Sequence, residues 1–199
     1  MSEKNTNKYA IVDLEATSAS STASIIQVGI VIMQNGQVVD EFASDVNPHQ
    51  ELDEHIIHLT GISDQQLAQA PDFSEIARTI FELIEDCIFV AHNVKFDANL
   101  LAEALFMEGF ELRTPRVDTV ELAQVFYPTL EQYKLSHLSK VLNLDLAQAH
   151  TAIEDARATG QLLFHLMDKI ASLPRQTIEM LLTFSDNLLL KLSWLFVML

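Results

Sequence analysis

Asn35-Gly36 stands between an apolar run, IIQVGIVIM at 25–33, and a partly alternating one, QVVDEFASDV at 37–46. That arrangement leaves the chain few options. Both central residues of a type I′ turn need positive φ, which asparagine and glycine tolerate best, so the two runs read as an antiparallel hairpin. Residues 9–15, YAIVDLE, lie just upstream and read as a buried strand. Together they predict a three-stranded antiparallel unit at the N-terminus.

The rest of the chain changes period. His58-Leu59-Thr60-Gly61-Ile62 reads as a loop leading to Ser63, a suitable N-cap for DQQLAQA. Pro71-Asp72 opens a helix in which Phe73, Ile76, Ala77, Ile80, Phe81 and Ile84 recur at spacings of three and four. CIFVAH (87–92) reads as a short buried strand, and a helix from near Phe96 runs to a stop at Gly109. Val117-Asp118 ends another short strand before the helix TVELAQVF, closed by Pro128; LSHLSKVLN forms a short helix. A long helix follows from about Thr151 to Ser172, with Pro174 beyond it. Three antiparallel strands followed by strands alternating with helices predict an α/β fold: a mixed five-stranded sheet, three strands antiparallel and the later ones parallel, flanked by helices. The chain has no internal repeat and no G-x-x-x-x-G-K-[ST] phosphate loop, which argues against an ATPase domain.

With 199 residues, 49% of them hydrophobic, the chain can bury a substantial single core. Its one cysteine, Cys87, lies in an apolar run and reads as a buried core residue of a cytoplasmic protein. The N-terminus, MSEKNTNKYA, has no apolar segment of the kind that opens a secretory leader. From Leu188 the chain reads LLLKLSWLFVML, too short to cross ~30 Å of hydrocarbon as a helix, so no membrane partner is expected. The net charge of −16 argues against broad duplex binding, which draws on lysine and arginine to neutralise phosphates. Between Tyr9 and Val94 the only such residue is Arg78, whereas Lys95, Arg113, Arg116, Lys134, Lys140 and Arg157 all follow. A modest basic rim around an acidic centre is compatible with holding a short stretch of strand.

Four acids sit among apolar residues, where an uncompensated carboxylate is costly. Asp13 and Glu15, two apart on a strand, leave the same face. Such pairs also occur at solvated strand ends. Asp97 lies just inside the helix after CIFVAH, where the helix dipole favours a carboxylate whether it caps or ligates. Asn93 upstream is placed to stabilise the turn, and His92 reads as structural. Asp155 falls on the inward face of the last helix with Ala152, Ala156 and Thr159, and His150 precedes it in the loop. Histidine is the side chain best matched to taking a proton near neutral pH. Divalent cations would supply the positive charge that the acids need.

The order D-x-E, then H-N-x-x-F-D, then H-x4-D-A resembles the DEDD exonuclease superfamily in its histidine branch. The resemblance covers about residues 8–170 and includes HLTGI (58–62) and DTVELA (118–123). A tyrosine-branch member would carry Tyr at the position of Thr151. The pattern is similar to the DnaQ-like proofreading (epsilon) subunit of bacterial DNA polymerase III and to the domain that opens DinG-type helicases. The resemblance implies an RNase H-like fold and a 3′→5′ exonuclease that releases 5′-mononucleotides, mainly from single-stranded DNA, in replication proofreading or repair. It implies that Asp13, Glu15, Asp97 and Asp155 ligate two Mg²⁺ or Mn²⁺ ions, with His150 as general base. In the family such a pair of ions, ~3.5–4 Å apart, activates water and stabilises the attacking and leaving oxygens. It also implies that Thr17 and Ile62 contact the terminal nucleotide. Where the family commonly reads D-x-E-T-T-G, this chain has D-L-E-A-T-S, so Ala16 and Ser18 alter the turn that meets the substrate's end.

Two other readings stay open: an RNA-directed, oligoribonuclease-like exonuclease, and an inactive interaction module that keeps the fold. Residues 1–173 are expected to form the exonuclease domain. Residues 174–199 read as an apolar helical tail: either an element that docks on a polymerase, a helicase or a second copy, or the remnant of a longer helicase-fused chain.

Overall fold

The computed structural model describes residues 7–20, 22–144 and 151–180. His150 and most of the apolar tail therefore lie outside the described residues. The sheet is built from β1 (Tyr9–Ala16), β2 (Ile25–Gln34), β3 (Gln37–Asp45), β4 (Ile88–Ala91) and β5 (Arg116–Asp118), in the order β3-β2-β1-β4-β5. β1 pairs antiparallel with β2, and β2 with β3; β4 runs parallel to both β1 and β5. The turn between β2 and β3 has φ of 54° at Asn35 and 76° at Gly36, as the Asn-Gly pair requires. This is the mixed five-stranded sheet expected of an RNase H-like fold.

Strand periodicity divides the core in two. Ala10, Val12 and Leu14 of β1, with Val28, Ile30 and Ile32 of β2, pack against α3 (Phe73–Ile84) and α4 (Val94–Met107). Tyr9 and Ile11, with Val31 and Met33, face the opposite layer of α5 (Thr119–Phe126), α6 (Leu135–Leu142) and α7 (Ala152–Ala171). The amphipathic stripe expected from Phe73 onward buries Ala77, Ile80 and Ile84 fully. Its first turn is secured by the Asp72 backbone N–H, which donates to Glu75 Oε2 at 2.9 Å.

One local expectation fails. His58-Leu59-Thr60 belongs to a helix, α1 (Glu54–Thr60), not to a loop. Only Ile56 and Thr60 of that helix are buried, so its apolar stripe is too thin to show as a period. Its ends were the legible part: Asp53 stands at the N-cap, and Gly61, at φ 73°, terminates it in the left-handed conformation. Ser63 does cap the short α2 (Asp64–Leu67), accepting from the Gln66 N–H. α4 begins at Val94, two residues before the expected start, because Asn93 takes φ 79° and turns the chain directly into it. Among the described residues, no helix is long and apolar enough to cross a membrane.

Candidate active site

The alternation that sends Tyr9 and Ile11 toward α7 continues into Asp13 and Glu15, so the same strand face turns from apolar to acidic along its length. α7 brings the third acid. Carboxylate oxygens of Asp13, Glu15 and Asp155 all lie within 4.8 Å of one another. Asp97 arrives from the other layer, over the end of the sheet. β1 continues past its last partner on β4, the Ile11–Val90 pair, and beyond that point the Leu14 N–H donates to Asp97 Oδ1 at 3.0 Å. One oxygen of Asp97 is therefore anchored between Asp13 and Glu15, on a backbone donor that β4 does not reach.

The contact of α7 with the sheet is close because β2 is flat there. Gly29 pairs with Asp13, and a Cβ on Gly29 would lie 2.2 Å from the Ala152 carbonyl carbon. Both groups belong to backbone, which cannot swing aside. Gly29→Ala should therefore lift the first turn of α7 and lower stability by about 2 kcal/mol, as overpacking does; an unchanged urea midpoint would reject this.

Electrostatically the cluster is under tension. Burial, followed by the charges of Asp97, Asp155 and Glu15, holds Asp13 well above the usual carboxylate range. Burial and then Asp155 push Glu15 up to about 7. Asp97 also rises to about 7 through burial, although the Leu14 N–H pulls the other way. Among the described residues, no lysine or arginine forms an ion pair with Asp13, Glu15 or Asp97. Converging carboxylates, all offering hard oxygen ligands, fit divalent cations.

Neighbouring polar residues have structural duties. His92 Nδ1 lies 2.9 Å from Thr119 Oγ1 and its Nε2 2.7 Å from the Tyr133 carbonyl, so both ring nitrogens are engaged away from the acids. Asp118 accepts from the N–H groups of Asn93 (3.2 Å), Val94 (3.0 Å) and Val120 (2.8 Å), tying the start of α4 to the start of α5. Only the motif DTVELA pointed to Asp118 beforehand. Thr17 Oγ1 accepts from the Ser24 N–H at 3.0 Å and closes the loop after β1. Ile62 is 4% exposed and packs with Ile26, Leu52, Ile56 and Leu67. Leu59 of α1, by contrast, is 50% exposed. It lines a cavity of about 380 Å³ at the end of β1, together with Glu15, Thr17, His55 and Phe96.

Against known proteins, the RNase T exonuclease family model matches residues 10–163. The chain belongs to this exonuclease family. Among curated relatives, the 3′-5′ exonuclease DinG of Staphylococcus aureus (strain USA300) is 38% identical over 182 residues, which cover 90% of this chain and 20% of DinG. The chain thus spans about a fifth of the length of that relative. Two solved structures share the fold of this family member. Exonuclease X in complex with 5′ overhanging duplex DNA has a TM-score of 0.67 at 21% identity, covering 81% of this chain and 92% of that one. The nuclease domain of 3′hExo, a DEDDh family member bound to rAMP, has a TM-score of 0.69 at 16% identity, covering 82% and 93%.

Proposed function

We propose that this chain is a metal-dependent 3′→5′ exonuclease that releases 5′-mononucleotides from single-stranded DNA, in replication or repair. The observation that carries the reading is the convergence of Asp13, Glu15 and Asp155 within 4.8 Å, with Asp97 anchored between the first two by the Leu14 N–H. These four acids would hold two Mg²⁺ or Mn²⁺ ions. When bound, such ions acidify water and stabilise negative charge on the oxygens of a phosphodiester undergoing in-line displacement. His150, five residues before Asp155 in the sequence, would take the proton of the attacking water on its imidazole.

The cavity beside Glu15 suits the terminal nucleotide. Leu59 and Phe96 offer apolar surface to the base, and the Thr17 loop, with Ile62 packed beneath α1, supports the sugar side. DNA has support in exonuclease X, whose solved structure of the same fold holds 5′ overhanging duplex DNA. The RNA alternative has support in the nuclease domain bound to rAMP. The negative overall charge implies weak, short contacts at a strand's end.

The test uses 5′-labelled and 3′-labelled single-stranded DNA and RNA with Mn²⁺ or EDTA. Stepwise ladders from the 5′-labelled strand, absent with EDTA and reduced at least about a hundredfold by His150→Ala, are expected. Internal cuts, or a ladder that persists in EDTA, would reject the proposal.

A further inference from the structure

α7 carries Asp155 to the acids of β1, and the first residue of that helix is tied to the sheet by Gln27. In the β1–β2 register Gln27 lies directly opposite Glu15, on the face that meets α7, one step along from the Gly29 seat. Its Oε1 accepts from the Ala152 N–H at 2.9 Å. Its Nε2 donates to Asp45 Oδ1 at 2.8 Å, and Asp45 Oδ2 in turn accepts from Gln66 Nε2 at 2.6 Å. A chain of side chains thus runs from α2 through the last residue of β3 to the first residue of α7.

Ala152 N–H is one of the free donors at a helix start, and Thr151 at the N-cap makes no side-chain cap bond. Gln27 fills that role from across the sheet. It fixes the segment that joins His150 to Asp155, two residues beyond one and three before the other. The amide fits the task better than a carboxylate would, because it accepts from Ala152 while donating to Asp45. Both polar ends of Gln27 are occupied in this way.

We propose that Gln27 is a positioning residue, which sets Asp155 against Asp13 and Glu15 by holding the first turn of α7 through the Ala152 N–H. This rests on the nuclease reading for its effect on turnover, but its effect on the metal site does not. Groups one step removed from metal ligands alter affinity by about ten- to a hundredfold.

The full chain would be compared with Gln27→Met and with the double variant Gln27→Glu/Asp45→Asn, measuring Mn²⁺ affinity by calorimetry and kcat and KM on a 5′-labelled oligonucleotide. Methionine keeps the length but loses both hydrogen bonds. The double variant reverses the polarity of the Gln27–Asp45 bond. Its carboxylate on β2 accepts both from the Ala152 N–H and from the new amide at the end of β3, whose oxygen still accepts from Gln66. We expect Gln27→Met to weaken Mn²⁺ binding about tenfold and to lower kcat by a similar factor, with KM within about threefold. The double variant should return both to within about threefold of the parent. Mn²⁺ affinity in Gln27→Met equal to the parent's would overturn the proposal, as would a double variant that folds but recovers neither quantity. If no variant, nor the parent, degrades oligonucleotides while Mn²⁺ affinity follows this pattern, the nuclease reading fails and the positioning role stands.

Discussion

Asp13→Asn will all but abolish hydrolysis while making the metal-free protein more stable. The two effects have one cause. Asp13 is the most crowded acid of the cluster, raised by burial and by three neighbouring carboxylates. In the proposed two-ion site, that crowding would hold the cations. A loss of about a thousandfold in kcat is expected, equivalent to the several kcal/mol that cations contribute to such a displacement. Without cations, asparagine removes a repelled charge at nearly constant volume, and each kcal/mol relieved raises the melting temperature by about 2–4 °C in a domain of this size. Differential scanning in EDTA and in Mn²⁺ gives the check. A variant less stable than the parent in EDTA would show that Asp13 is held by structural hydrogen bonds instead of being strained.

The second large effect is a pH dependence that runs opposite to ordinary acid denaturation. Glu15 has its folded pKa raised from 4.5 to about 7, and Asp97 from 3.8 to about 7. Between those limits the folded state binds more protons than the unfolded state, so stability falls as pH rises. Below about 4 the groups are protonated in both states and cost nothing. Above 7 the penalty is complete and level. For Glu15 alone it is on the order of 3 kcal/mol. His92 opposes this slope in part, because burial lowers its pKa from 6.5, so its contribution is lost as pH falls. The quantity to measure is therefore the difference between the parent and Glu15→Gln in EDTA, followed from pH 4 to 8. Glu15→Gln should gain on the parent across that window, and saturating Mg²⁺ or Mn²⁺ should erase the gain. A difference that stays flat with pH would remove Glu15 from the strained cluster.

What could be read in advance follows the range of each interaction. The turn at Asn35-Gly36 and the stripe of α3 are local, set by the φ preferences of two residues and by a helical period, and both stand in the structure. Asp13 and Glu15 could be placed on one face because strand alternation is also local. Which layer that face meets was not legible, since it depends on how α7 crosses β1 and β2. Gln27 illustrates the limit. In the primary structure it is one polar residue in an apolar strand; its partner is the backbone of Ala152, whose N–H has no residue type to advertise it. Gly29 is similar, because its requirement comes from the Ala152–Ile153 backbone packed on it. α1 was missed because its evidence lay in its two ends and not in its face.

The acids come from both layers: Asp155 from the helices on one side of the sheet, Asp97 from those on the other, with Asp13 and Glu15 on the strand between. The cluster is consequently complete only when both helical layers are packed on the sheet. A chain with only the three-stranded N-terminal unit and α4 in place holds three of the four acids, and the fourth waits for α7. A form that loses the packing of either layer on the sheet therefore loses an acid from the cluster, and with it the geometry that cutting a strand would need.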